Sequence, residues 1–256
     1  RLIGTLTDIT EIKLLEESLR RNIEKERELN DIKSRFVATA SHEFRTPLAS
    51  ILITNDTLIN YWHRLEENQI DAKLQKIKSN VLFLTNIVND VMQLSKIQEG
   101  KLEFNPHPLD VVALCKEIVT EFKEEQLQNT VEFVCDLTSL NLNLDLRLMR
   151  QTFNNLLSNA SKYSHGSTPI HIELKIENNE MLFSVQDHGI GIPKADQKRL
   201  FTPFFRASNS KMIQGNGLGL NIILEAAKMH GGDITFESTP DVGSTFVLHI
   251  PITSEN

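Results

Sequence analysis

Residues 41 to 48 read Ser41-His42-Glu43-Phe44-Arg45-Thr46-Pro47-Leu48 and set an imidazole directly beside a carboxylate. An imidazole is largely uncharged near neutral pH and therefore nucleophilic. Glu43 is placed to hold the tautomer of His42 or to take its proton, so the pair suits acceptance of a phosphoryl group. Phe36, Val37, Ala40, Phe44, Leu48 and Ile51 recur at helical spacing. That helix carries His42 roughly opposite its apolar stripe, with Thr46 one turn further on the same face. Pro47 cannot donate to the carbonyl of Glu43, and the helix is expected to bend or loosen there. The competing reading of this stretch is an exposed histidine beside a solvated Glu/Arg pair, and the rest of the chain must decide.

Four further clusters could do chemistry. Asn154-Asn155-Leu156-Leu157-Ser158-Asn159-Ala160-Ser161-Lys162-Tyr163 puts Asn155, Asn159, Lys162 and Tyr163 on or near one helical face, opposite Phe153 and Leu157. An amide oxygen suits magnesium, which takes few protein ligands and keeps waters and phosphate oxygens. A lysine one turn away suits the phosphates themselves. Asparagine is a poor helix former, so stability does not explain several in one helix. Asp187-His188-Gly189-Ile190-Gly191-Ile192-Pro193 follows a strand; its aspartate could accept from an exocyclic amine such as that of adenine, and its glycines permit a tight turn and close approach. An ordinary strand-to-helix turn would look the same, and His188 reads as incidental. Phe201-Thr202-Pro203-Phe204-Phe205-Arg206 reads as the base of a lid reaching to Gln214. Gly215-Asn216-Gly217-Leu218-Gly219-Leu220 opens a helix whose bare amides can hold an anion.

The elements that must position these residues differ in texture along the chain. Residues 1 to 9 read as a last strand, and from Glu11 to Pro47 the chain is charged and free of glycine and proline. Ile12, Leu15, Leu19, Leu29, Ile32 and Phe36 make a weak, phase-shifted coiled-coil seam. The helix resumes after Pro47 to about Tyr61, a turn is expected at Glu66-Glu67-Asn68, and Gly100 ends a second helix. Its seam is Leu74, Ile77, Val81, Leu84, Val88 and Val91, while Leu82, Phe83, Ile87 and Leu94 widen the stripe beyond what one partner covers. Dimerisation of the hairpin into a four-helix bundle would bury the excess; packing on the C-terminal domain is the alternative. From Lys101 a short strand to Phe104 is expected, then a helix capped by Asp110 and a strand over Val131 to Asp136. A helix follows over Asp145 to Tyr163, then a hairpin turning at Asn178-Asn179, a helix near Asn221 to His230, and strands at Asp233–Ser238 and Ser244–Ile250. Together these predict an α plus α/β chain: a dimerising antiparallel helical hairpin, then a two-layer α/β sandwich.

At 256 residues with 40% hydrophobic content the chain can bury one or two sizeable cores, and a net charge of -7 argues against sequence-independent nucleic-acid binding. Cys115 and Cys135 have no metal spacing and read as buried core thiols of a cytoplasmic protein. No stretch approaches the roughly 18 apolar residues of a membrane span. A chain beginning at Arg1 reads as the C-terminal part of a longer one, so membrane contact, if any, belongs to a segment absent here.

In order and spacing, the five motifs closely resemble the phosphoacceptor, N, first-glycine, phenylalanine and second-glycine boxes of sensor histidine kinases of two-component systems. The resemblance runs from about residue 30 to the end. Residues 1 to 10, with Thr7-Asp8-Ile9-Thr10, look like the end of a PAS sensor domain, and 11–35 like its signalling helix. The remaining division it implies is a dimerisation and histidine phosphotransfer domain over 36–100 and a catalytic ATP-binding domain over 101–256. It implies that His42 is the phosphoacceptor, Glu43 its acid/base, and Thr46 a residue orienting water when a partner regulator is dephosphorylated. Asn159 would bind Mg2+ with Asn155 supporting it, Lys162 would contact phosphate, and Tyr163 would flank the nucleotide. Asp187 would read adenine, with Gly189 and Gly191 giving backbone room; Gly215, Gly217 and Gly219 would admit the phosphates, and Arg206 would neutralise the transferring group. ATP and magnesium are the implied cofactors, and the implied partners are a second copy and a response-regulator receiver domain, which this chain lacks. Rival readings are a gyrase/Hsp90-type ATPase clamp and a nucleotide-binding pseudokinase scaffold; His42 in its box counts against the first, and intact Asn159, Asp187 and glycines against the second.

Overall fold

A computed structural model describes the backbone of residues 10–125, 130–166, 168–210, 213 and 215–252, and the side chains among them except at 10–18, 21–37, 98 and 125. The expected strand of residues 1 to 9, the PAS-like end and nearly all of the coiled-coil seam lie outside these. The chain divides into two compact units, residues 1–81 and 82–256.

The first unit is helical. Helix α1 spans Thr10–Tyr61, and α2, Glu67–Gln98, begins in this unit and continues into the next. A 3-10 turn at Trp62–Arg64 connects them, so the reversal falls just before the Glu66-Glu67-Asn68 turn expected from sequence, and Glu67 already opens α2. The helix runs through Pro47. Along α1 the more buried side of the helix carries Ala40, Phe44, Pro47, Ile51, Thr54 and Leu58, steps of four and three. Leu48, placed on the apolar stripe by sequence, is 53% exposed, and Pro47 takes the inward position instead. A ring without an N–H is well suited there, because it needs no hydrogen-bond partner. Thr54 satisfies its buried hydroxyl on the carbonyl of Ser50 at 2.7 Å. Asn80 of α2 reaches the Ser50 hydroxyl at 3.4 Å and ties the two helices. On the α2 seam Ile77 is half-buried, but Leu74 and Val81 are exposed.

The second unit holds the rest of α2 and a two-layer sandwich. Strand β1 is His107–Asp110, β2 Val131–Val134 and β3 Asn141–Leu144; β4 (Ile170–Glu177), β5 (Glu180–Gln186), β6 (Asp233–Thr239) and β7 (Gly243–Pro251) complete the set. Five strands form a sheet in the order β2-β4-β5-β7-β6, antiparallel except for β2 with β4, and β1 pairs with β3 separately. The helices are α3 (Val111–Glu125), α4 (Leu146–Tyr163), the short α5 (Lys194–Gln197) and α6 (Gly219–Met229). Alternate residues Ile170, Ile172, Leu174, Met181, Phe183, Val185, Leu248 and Ile250 share one core cluster with Phe153, Leu157, Ile223 and Ala227 of the helices. Phe153 of α4 stacks on Phe183 of β5 with ring centroids 4.1 Å apart. At the β4–β5 turn Asn178 and Asn179 have φ of 50° and 63°, the left-handed pair a two-residue hairpin demands.

Asp110 caps α3 by accepting from Val112 N, and Asp145 caps α4 by accepting from Leu148 N. The strand expected over Lys101–Phe104 is absent. Other bonds replace a ladder here: Lys101 N and Leu102 N donate to Lys96 O at the end of α2, Arg147 donates to Glu103 O at 3.2 Å, Asn105 N donates to Asp145 at 3.0 Å, and Phe104 stands edge-on to His230. Strand β3, unforeseen, carries two asparagines among four residues, a composition that sequence reads as loop. Among the described residues no helix is long and apolar enough to cross a membrane.

Candidate functional site

His42 lies in the first unit with a side chain 73% exposed, open to a reagent from solvent. Its Nδ1 stands 3.7 Å from Oε1 of Glu43, a carboxylate 24% exposed; this is beyond hydrogen-bond length. Thr46 is exposed, as expected one turn along from His42.

The second unit contains a cavity of about 460 Å³, a volume suited to a small organic ligand. Its walls bring together most of the expected residues. Helix α4 contributes Asn155, Asn159, Lys162 and Tyr163; the loop after β5 contributes Asp187 and Gly191; Arg206, Gly215, Gly217 and Gly219 come from the segment leading into α6. Asp187 is 6% exposed. Its Oδ1 accepts from Gly189 N at 3.0 Å and Ser244 N at 3.3 Å. Burial pushes its carboxyl up from the ordinary aspartate range, against those hydrogen bonds. Lys162 is held below the usual lysine range, by burial first and by the Arg206 guanidinium second. Tyr163 is pushed up by burial.

Two donors in the walls are buried and unpartnered: Asn155 Nδ2 and Arg206 Nε. Orphaned donors beside a partly buried lysine fit an acceptor-rich anion. The rest of the Arg206 guanidinium is engaged, its Nη2 donating to the carbonyls of Ser210 and Ile213. Arg206 therefore also holds the shape of the loop it belongs to. Asn159 faces the cavity, and an amide oxygen there fits a hard cation that brings its own phosphate and water ligands. Among the described residues no group of three or more His, Cys, Asp or Glu could hold a metal by itself.

The glycines divide into two kinds. A Cβ on Gly189 would lie 1.9 Å from Tyr163 O, and one on Gly191, at φ +55°, would lie 2.0 Å from Thr239 O. Their smallness serves the approach of one backbone to another, and Gly189 is absent from the cavity wall. A Cβ on Gly215 would press on Lys162 Nζ at 2.8 Å, so this glycine keeps space beside the cation.

Sequence reasoning missed two sets of residues. Phe83, Asn86, Asn89 and Asp90 of α2 line the cavity. The three polar ones interrupt the apolar stripe at spacings of three and one, a signal that could have marked a second function for that face. Asn209 donates to Ile190 O at 3.2 Å and Gly191 O at 2.9 Å, and Asp196 accepts from both N and Oγ of Ser208. The Asn209 bonds hold the segment after the phenylalanine box to the first glycine box, and the Ser208 bonds hold it to α5. Such side chain-to-backbone ties leave no periodic trace.

Residues 32–100 match the His Kinase A (phospho-acceptor) domain, and residues 144–254 match the histidine kinase-, DNA gyrase B- and HSP90-like ATPase. The chain is 33% identical over 230 residues to the circadian input-output histidine kinase CikA of Synechococcus elongatus, covering 87% of this chain and 30% of that protein. It is 31% identical to the sensor histidine kinase WalK of Bacillus subtilis, covering 99% of this chain and 40% of the relative. The chain thus spans less than half the length of these curated relatives. In fold it is similar to the histidine kinase AdeS of Acinetobacter baumannii, at 23% identity, TM-score 0.65, and coverage of 83% of this chain and 98% of that one. It is likewise similar to the histidine kinase ThkA, solved in complex with the response regulator protein TrrA, at 24% identity, TM-score 0.66, and coverage of 97% and 69%.

Proposed function

The chain belongs to the sensor histidine kinases of two-component systems, and we propose that it phosphorylates His42 from ATP and passes the group to an aspartate of a response regulator. The observation that carries this reading is the pairing of two features in one chain: an open His42–Glu43 pair, and a cavity with orphaned donors and a half-buried lysine in its walls. Glu43 faces Nδ1, which leaves Nε2 of the neutral ring as the attacking atom. An N–P bond forms there as the bond from the γ-phosphorus to the bridging oxygen breaks, and ADP leaves. The positive charge that develops on the ring is stabilised by Glu43, which takes or shares the Nδ1 proton. Transfer onward breaks the N–P bond and forms an acyl phosphate on the regulator. Catalysis of this kind rests on positioning and charge neutralisation.

In the cavity, the free oxygen of Asp187 suits the adenine amine, Lys162 and the Asn155 and Arg206 donors suit the phosphates, and Asn159 suits magnesium held jointly with them. Magnesium supplies charge neutralisation on the transferring phosphates. Thr46, exposed on the helix of His42, supports a second activity, hydrolysis of the phosphorylated regulator through an oriented water. Leu48, Leu52, Ile53 and Ile59 of α1 and Val81, Leu82, Val88 and Met92 of α2 are 44% to 70% exposed, which supports assembly of two copies through these helices.

Incubation with γ-labelled ATP and magnesium tests the proposal. The product should be acid-labile and base-stable, as phosphohistidine is, and His42→Gln should abolish labelling while nucleotide binding survives. Equal labelling of the variant would remove His42 from the mechanism.

A further inference from the structure

Asn216 stands between Gly215 and Gly217, just ahead of α6. Its Oδ1 accepts from Leu218 N at 3.1 Å, which sets the side chain at the N-terminal end of that helix. Its Nδ2 donates to Oδ2 of Asp90 on α2 at 2.7 Å. Asp90 lines the same cavity as Lys162 and Arg206. Burial raises the Asp90 carboxyl from the ordinary aspartate range and the Asn216 amide, just ahead of α6, offsets part of that, so its charge is held at the anion-attracting end of the glycine box. A triphosphate entering the cavity seeks the same pole, and two anions repel strongly in a partly dry space.

We infer that Asp90 is an internal competitor of the nucleotide. Its carboxylate holds the anion-attracting end of the glycine box while the cavity is empty, and the polyphosphate displaces it, freeing α2 from Asn216. This rests on the ATP reading above and adds a control on that site. Coupling of this kind is reciprocal: docking of α2 through Asp90 weakens nucleotide binding by the factor by which nucleotide weakens the docking. The neighbouring contact is suited to reversal. Gln93 accepts from Gln151 at 2.7 Å, a neutral amide pair, while its own buried Nε2 has no partner.

Equilibrium binding of a non-hydrolysable ATP analogue with magnesium, to the whole chain, tests the inference. Asp90→Asn keeps the size of the side chain and an acceptor for Asn216 but removes the charge. It should bind the analogue about three- to tenfold more tightly. Adenosine, which carries no phosphate, should bind the variant and the parent chain within about twofold of each other. Amide hydrogen exchange over residues 86–93 of the parent chain should rise when the analogue saturates the site. Unchanged or weaker analogue binding by Asp90→Asn would overturn the inference, as would an equal gain for adenosine or exchange that does not respond. A parent chain that fails to bind the analogue at all would instead remove the ATP reading.

Discussion

Asp187 and Gly189 are joined through a single carboxylate oxygen: Oδ1 accepts the glycine N–H at 3.0 Å, and Ser244 N reaches the same atom at 3.3 Å. The second oxygen is left for a ligand. Asp187→Asn can keep both backbone bonds but would present an ambiguous amide to the adenine amine. Nucleotide affinity should fall by about two decades, the usual scale for an unpaired buried polar group. The same change should leave thermal stability equal or raised, because burial makes the Asp187 charge costly. The pH dependence has opposite signs for the two properties. With the folded pKa raised, the stability of the empty domain declines as pH climbs from the unfolded to the folded pKa, whereas adenine binding to the ionised carboxylate grows across that window. Calorimetric melting and nucleotide titration from pH 4 to 8, roughly, would check both; parallel slopes would contradict the assignment.

Glu43→Gln preserves shape beside His42 and removes the base. Autophosphorylation should slow by about a hundredfold, the lower end for a positioned acid or base, with nucleotide affinity unchanged. Initial-rate labelling at saturating ATP decides it, and a normal rate would leave Glu43 a solvated bystander.

Gly191→Ala meets two obstacles, a φ of +55° and a carbonyl 2.0 Å from the new methyl. The loop must shift away from Thr239, and the domain should lose about 3 kcal/mol of stability. Urea unfolding followed by far-UV circular dichroism measures it. A loss under about 0.5 kcal/mol would show that the loop yields cheaply.

Val88→Glu places a charge on an α2 surface that is 44% exposed at that residue. The chain should sediment as a dimer at micromolar concentration, and this variant should sediment as a folded monomer. A parent chain that is monomeric throughout would mean that the exposed apolar residues of α1 and α2 serve something other than a second copy.

The boxes themselves were legible because each carries a residue type whose chemistry has few other uses. Asn155, Asn159, Lys162 and Tyr163 do share one cavity wall, as helical spacing required. The Asp110 cap and the Asn178-Asn179 turn were readable for the same reason, since each demands a particular side chain or φ, whereas Asp145, expected as the first residue of its helix, is the cap before it. The absence of a strand at Lys101–Phe104 was not readable. Its first two amides close back on Lys96 O at the end of α2, and Glu103 O is taken by Arg147, 44 residues away, a partner that no local pattern announces. The stripe of α2 fits a heptad seam in sequence, yet Ile87 and Leu94 at its margin are 0% and 1% exposed, and Val88 at its centre is open. Period alone ranks neighbouring positions poorly when a helix meets more than one surface along its length. The doubling of roles on Asp90 and Asn216 was hidden for the same reason.

Asp145 works at both ends of a mechanical linkage. One carboxylate oxygen caps α4 at Leu148 N, and the other grips Asn105 N in the connection that follows α2. Helix α4 carries Asn155, Asn159 and Lys162 on its next turns. A tug on that connection is therefore applied at the first turn of the rod that holds the cavity's cation and amides. The joint has the build of a pinned lever rather than a slack rope, with Asp145 as its pin and Arg147 of the same turn holding Glu103 O beside it.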